Sequence, residues 1–124
     1  MPLTGFENIT KNIRKDEIEM AEKIALNINT KCVGKENAVS NKRLRDAILY
    51  KYGVKIGGPR IRKMINYIRA MNLVPCLCAN SKGYFRAANE EEWNEWKNSM
   101  QQRINEMQAI LDCASYFNDG KEML

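Results

Sequence analysis

A chain of 124 residues, 44% hydrophobic and 28% charged with a net charge of +5, has the size and composition of one small domain with room for one appendage. No run approaches the roughly 18 apolar residues that a membrane span needs, and the opening "MPLTGFENITKNIRK" has no apolar segment of the signal-peptide kind. The expectation is a cytoplasmic protein, where thiols stay reduced.

The first residues show no periodicity and are expected to form an N-terminal arm over 1–15. From residue 16 to about residue 30, Ile18, Ala21, Ala25 and Ile28 recur at helical spacing, and Ile24 and Leu26 widen the stripe. Asp16, Glu17 and Glu19 stand in the first turn, where the helix dipole favours negative charge. A connection follows, with a short strand expected near Val39. Ser40 or Asn41 can cap a second helix running through Leu44, Ile48 and Leu49 to about Tyr52, and Gly53 suits the position past its end. Pro59 fits the first turn of a third helix, which should fade near Asn72 because Pro75 follows.

"VPCLCA" and "GYFRAA" read as two short strands joined by the tight turn "NSKG". Asn89 then caps a last helix, with Glu92 completing a capping-box pattern. Trp93, Trp96, Met100, Ile104, Met107, Leu111 and Ala114 step along it by three or four. The expected organisation is an arm over 1–15, a domain over 16–88, a long helix over 89–117 and a tail over 118–124. The fold class is mainly α with a small β-hairpin: a winged helix-turn-helix followed by a long C-terminal helix.

Charge is unevenly distributed. Between residues 40 and 88 stand eleven bases and one acid, Asp46, whereas the rest of the chain carries nine bases and fourteen acids. Such segregation points to a polyanionic partner, nucleic acid first. The third helix has the faces this needs. At 100° per residue Ile61, Met64, Ile65, Ile68 and Met71 share one side. Pro59, Lys63, Asn66 and Ala70 lie opposite, with Arg62 and Tyr67 on the shoulders and Arg60 and Arg69 nearer the edges. Arg and Lys can donate to guanine, Asn can pair with adenine, and Ala70 would let the helix sit deep in a major groove. Gly58 leaves the amides at the helix start open to a phosphate. Lys42 and Arg43 would reach the backbone beside the groove. Lys82 and Arg86 would act from the wing, positioning more than specifying sequence.

The last helix is longer than a small domain needs to close its core. Its stepping through Met100, Ile104, Met107, Leu111 and Ala114 reads as a seam for another helix, so a homodimer is expected. The alternative is that it folds back on helix one of its own chain.

Cys32, Cys76, Cys78 and Cys113 offer no C-x-x-C pair, and the chain has no histidine, so small buried hydrophobes fit them better than metal ligands. On a strand Cys76 and Cys78 would share one face. No cofactor, no metal, no small-molecule substrate and no catalytic residues are expected. Nothing in the sequence resembles a nucleotide-binding glycine loop, and the run from Glu90 to Glu92 is explained by capping.

"NKRLRDAILYKYGVKIGGPRIRKMINYIRAMNLVPCLCANSKGYFRAANEEE" resembles small winged helix-turn-helix proteins encoded by phages and prophages. The similarity lies in the third helix, the apolar strand ending in small or Cys/Ser residues, Gly83-Tyr84-Phe85, and the acidic start of the trailing helix. It implies a DNA-binding regulator or replication accessory working in a bacterial host cytoplasm. Gly57 and Gly58 depart from the Ser or Thr cap that such sequences often carry. The main expectation is therefore a non-enzymatic double-stranded DNA-binding protein, and the alternative is a winged-helix adaptor for an acidic protein partner in a replication or packaging assembly.

Overall fold

The structure, a computed structural model, describes residues 12–114. The tail expected over 118–124 and most of the arm expected over 1–15 lie outside the described residues. Within them the chain is mainly helical, with four α-helices and one two-stranded antiparallel hairpin. Among the described residues, those up to Trp93 form one compact unit and those from Asn94 a second. No helix among the described residues is long and apolar enough to cross a membrane.

Helix α1 spans Lys15–Lys31, with Asp16 and Glu17 in its first turn and Lys31 in its last, the polarity that the helix dipole favours. Ala21, Ile24, Ala25 and Ile28 form its buried face. Leu26 does not widen that stripe, because it points away from the core and is 66% exposed.

After α1 the chain makes a short 3-10 turn, Lys35–Asn37, and passes beside the hairpin. The expected strand near Val39 is a single antiparallel bridge to Tyr84, with N–H to carbonyl distances of 2.9 and 2.8 Å.

Helix α2 is Asn41–Tyr52. Ser40 is its cap, its Oγ accepting the Arg43 N–H at 3.1 Å, and Gly53 closes the far end in the left-handed region. Ser40→Ala should lower stability by about 1 kcal/mol, read as an earlier urea midpoint with an unchanged slope. Asn41 has a different task. Its Nδ2 donates to the Gly58 carbonyl at 3.2 Å while its Oδ1 accepts from Arg45 Nε at 2.9 Å, which ties the starts of two helices together.

Helix α3, Gly58–Ala70, buries Ile61, Met64, Ile65, Ile68 and Ala70. Gly57 precedes it without a side-chain cap, consistent with the missing Ser or Thr. The helix stops two residues before Asn72 because that residue adopts φ 53° and turns the chain back. There the Leu73 N–H meets the Ile68 carbonyl at 3.0 Å, and Asn29 Nδ2 donates to the Leu73 carbonyl at 2.9 Å. Val74 then drops into the core at 2% exposure.

Strands β1, Leu77–Asn80, and β2, Gly83–Arg86, pair in the register Leu77 to Arg86 through Asn80 to Gly83. The first strand starts three residues later than expected because Cys76 sits at φ 55°, outside extended backbone, so Cys76 and Cys78 do not share a strand face. Ile28, Ile61, Met64, Ile68, Val74 and Cys78 are the largest fully buried side chains. Each apolar side chain of this size contributes about 1.5–3 kcal/mol through burial.

Helix α4, Glu90–Ala114, begins on Asn89, whose Oδ1 accepts the Glu92 N–H at 2.9 Å. The Glu92 carboxylate reaches past the expected capping-box partner to the N–H groups of Ala88 at 3.0 Å and Lys35 at 3.3 Å. From Gln101 onward the helix carries side-chain bonds four residues apart, such as Gln108 Nε2 to Asp112 Oδ1 at 2.8 Å.

Candidate nucleic-acid interface

The eleven bases between residues 40 and 88 divide into two sets. Lys42, Arg43, Lys51, Lys55, Arg62 and Lys82 are exposed, whereas Arg45, Arg60, Lys63, Arg69 and Arg86 are half-buried. Every member of the second set has a partner inside the fold.

Two of them, Arg60 and Lys63, meet at Glu17, the one buried charged residue among those described, with a side chain 2% exposed. Its carboxylate accepts the Arg14 N–H at 3.1 Å and lies 3.3 Å from Arg60 Nε and 3.2 Å from Lys63 Nζ. Lys63 Nζ also donates to the Asn12 carbonyl at 2.7 Å. Burial pushes the Glu17 carboxyl up, but the Arg14 N–H, Lys63 and Arg60 outweigh it and hold the group below its ordinary value of 4.5. Arg60 and Lys63, in the first two turns of α3, thus share the single carboxylate of Glu17 from the first turn of α1, which offsets one of their two charges. A face bearing Arg60 and Lys63 as open cations, as the helical wheel implied, is not what the fold presents.

Arg69 Nη1 donates to the Leu77 carbonyl at 2.7 Å, pinning the end of α3 to β1. Arg86 Nη1 turns toward Asn29 Oδ1 at 3.5 Å, and so toward α1 instead of outward along the hairpin. Ala70 is 1% exposed and cannot contribute to an outer surface. Tyr67 packs against the core, and Asn66 is half-buried.

What remains open is the exposed set. Lys42 and Arg43 stand in the first turn of α2, which holds no acid. Cations there work against the helix dipole, so helix stability does not account for them. Arg62 is the exposed base of α3, and its Nη1 lies near Gly58. A Cβ at Gly58 would meet Asn41 Oδ1 at 3.4 Å, Arg62 Nη1 at 3.5 Å and Asn41 Cγ at 3.9 Å, ordinary contacts that do not demand a glycine. Lys82 occupies the hairpin tip, where Asn80 Oδ1 accepts its N–H at 2.8 Å. Lys55, in the turn between α2 and α3, belongs with this set and was not singled out as a contact from the sequence. Its signal was its place in "VKIG", a short segment with few ways to hide a charge.

Among the described residues no group of three or more His, Cys, Asp or Glu side chains is placed to hold a metal ion. All four cysteines are free; Cys32 and Cys78 are buried, Cys76 is half-buried and Cys113 is exposed. Burial pushes the Cys78 thiol up to about 11, which leaves it a packing residue without nucleophilic character near neutrality.

In comparison with known proteins, no family model matches the chain, and no curated protein or solved structure matches it.

Proposed function

We propose that this chain is a non-enzymatic double-stranded DNA-binding protein of phage or mobile-element type, a winged helix-turn-helix acting in a bacterial cytoplasm as a regulator or replication accessory. The observation that carries the reading is the exposed cationic set on α2, α3, their connecting turn and the hairpin tip, with Asp46 the one acid between residues 40 and 88. Supporting it is the chain order: helix, bridged segment, two helices, then a hairpin whose second strand also pairs with Val39. In this reading Arg62 and Asn66 approach base edges from α3. Lys42, Arg43, Lys55 and Lys82 contact phosphates, and the exposed stripe of α4 joins two copies.

Binding to random duplex at two salt concentrations tests the proposal, because each phosphate contact steepens the salt slope by about 0.9. Lys42→Ala and Lys82→Ala should each flatten that slope by about one and weaken all duplexes alike. Arg62→Ala and Asn66→Ala should instead relax base preference, by about 1–3 kcal/mol where a bidentate base contact is lost. No binding to duplex at low salt would overturn the reading.

One observation favours the adaptor instead. With Arg60 and Lys63 already paired to Glu17, α3 offers a duplex fewer charges than a reading helix ordinarily does. An acidic protein partner held with weak salt dependence would then replace DNA.

A further inference from the structure

Another exposed surface lies between α1 and α2 and shares Arg43 and Lys51 with the exposed cationic set. Helices α1 and α2 and the segment joining them enclose an open groove of about 490 Å³. Ile24, Leu44 and Ile48 at its base belong to the core and are 3%, 5% and 4% exposed, so the apolar surface it offers comes from half-buried Met20 and Val39 and exposed Ala47 and Tyr52. Its rim is cationic: Lys23 and Lys31 on α1 face Arg43 and Lys51 on α2, and Glu36 is the single acid. Lys23 is held at this rim by Tyr52, its Nζ lying 4.3 Å from the ring centroid.

The same chain carries an exposed apolar stripe. On α4, Ile104, Met107 and Leu111 repeat at three and four residues and are 55%, 69% and 63% exposed. Ile110 beside them is 71% exposed. That spacing is the anchor pattern by which an amphipathic helix seats in a groove. Apolar area left this bare on a small protein marks an interaction site. Glu106 and Asp112 flank the stripe on opposite sides, and Arg103, the one base between residues 101 and 114, has its counterpart in Glu36.

We propose that the α1–α2 groove receives the α4 stripe of a second copy. When two copies exchange helices reciprocally, each gives one and takes one, the assembly has two-fold symmetry and the α4 stripe is covered. The proposal rests on the self-association part of the reading above and names the surface involved, which is a groove and not a second α4. It does not depend on DNA binding.

The test is charge reversal with complementation in the full chain, read by sedimentation. Lys23→Glu with Lys51→Glu reverses two opposed rim positions, and Glu106→Lys with Asp112→Lys reverses the helix. Each double variant alone should weaken self-association at least about tenfold, the size expected for like charges brought together. An equimolar mixture should restore wild-type association, because every groove then has a helix of opposite sign. Ala47→Trp, at an exposed groove position on α2, should block association by bulk without touching charge, and circular dichroism confirms that each variant is folded. Self-association unchanged in both the rim variant and Ala47→Trp would overturn the groove and leave an α4–α4 seam in its place. A monomeric wild-type chain would overturn self-association altogether, and neither outcome bears on duplex affinity, which is titrated separately.

Discussion

Glu17→Gln is expected to lower stability and raise duplex affinity in the same protein. Removing one partner of a buried ion pair costs about 3–5 kcal/mol when the remaining charge is trapped. The Arg60 and Lys63 side chains are 38% and 30% exposed and can turn toward water, so a loss of about 2 kcal/mol is expected. The pH dependence has a definite sign. Because the folded-state pKa is depressed below 4.5, Glu17 contributes its stability fully above that value and loses it as pH falls through the folded pKa. The wild-type advantage over Glu17→Gln, measured by urea unfolding near neutrality and again near pH ~3, should therefore shrink in acid. Affinity moves the other way. Two cations released on α3 should steepen the salt slope for random duplex by about two. A variant that loses stability without gaining affinity would show that the start of α3 does not face DNA.

Gly83→Ala is expected to have the larger effect on stability. Gly83 has φ 137°, where a side chain is strained, and a Cβ there would run into the Val39 carbonyl and the Ser40 nitrogen. These are backbone atoms, so no rotamer change relieves the collision. The cost is about 3 kcal/mol or more, seen as a large drop in melting temperature, while Ser81→Ala at the exposed neighbouring position should be near neutral. The consequence extends beyond the turn. Val39 immediately precedes the cap of α2, so moving the hairpin disturbs the start of the helix that carries Lys42 and Arg43. Duplex binding should weaken with stability in this variant, the opposite coupling to that of Glu17→Gln.

The helix boundaries were legible because they are written in short-range chemistry. Ser40, Gly53, Pro59 and Asn89 each act on the backbone within a few residues, and each stands where its type predicted. The late start of β1 was not legible, since Asn72 is of a type that closes a helix in left-handed backbone but Cys76 is not, and it is Cys76 that delays the strand. The candidate site suffered most from long-range pairing. Glu17 and Lys63 are 46 positions apart, and the dipole explanation for an acid in a first turn is sufficient until the neighbouring helix is in place. One signal was present: Glu17 falls in register with Ala21, Ile24 and Ile28, on the face that goes inside. An acid on an apolar face needs cations, and α3 supplies them.

Glu92 has a consequence for how the last helix comes apart. Its carboxylate gathers the N–H groups of Lys35 and Ala88 while its own N–H is held by Asn89, so the beginning of α4 is riveted to the preceding chain. A helix fastened at one end unravels from the other. Fraying is expected to run backward from the last described turn through Leu111, Ile110, Met107 and Ile104, all more than half exposed. Whatever clasps that stripe supplies the order of the final turns together with the grip.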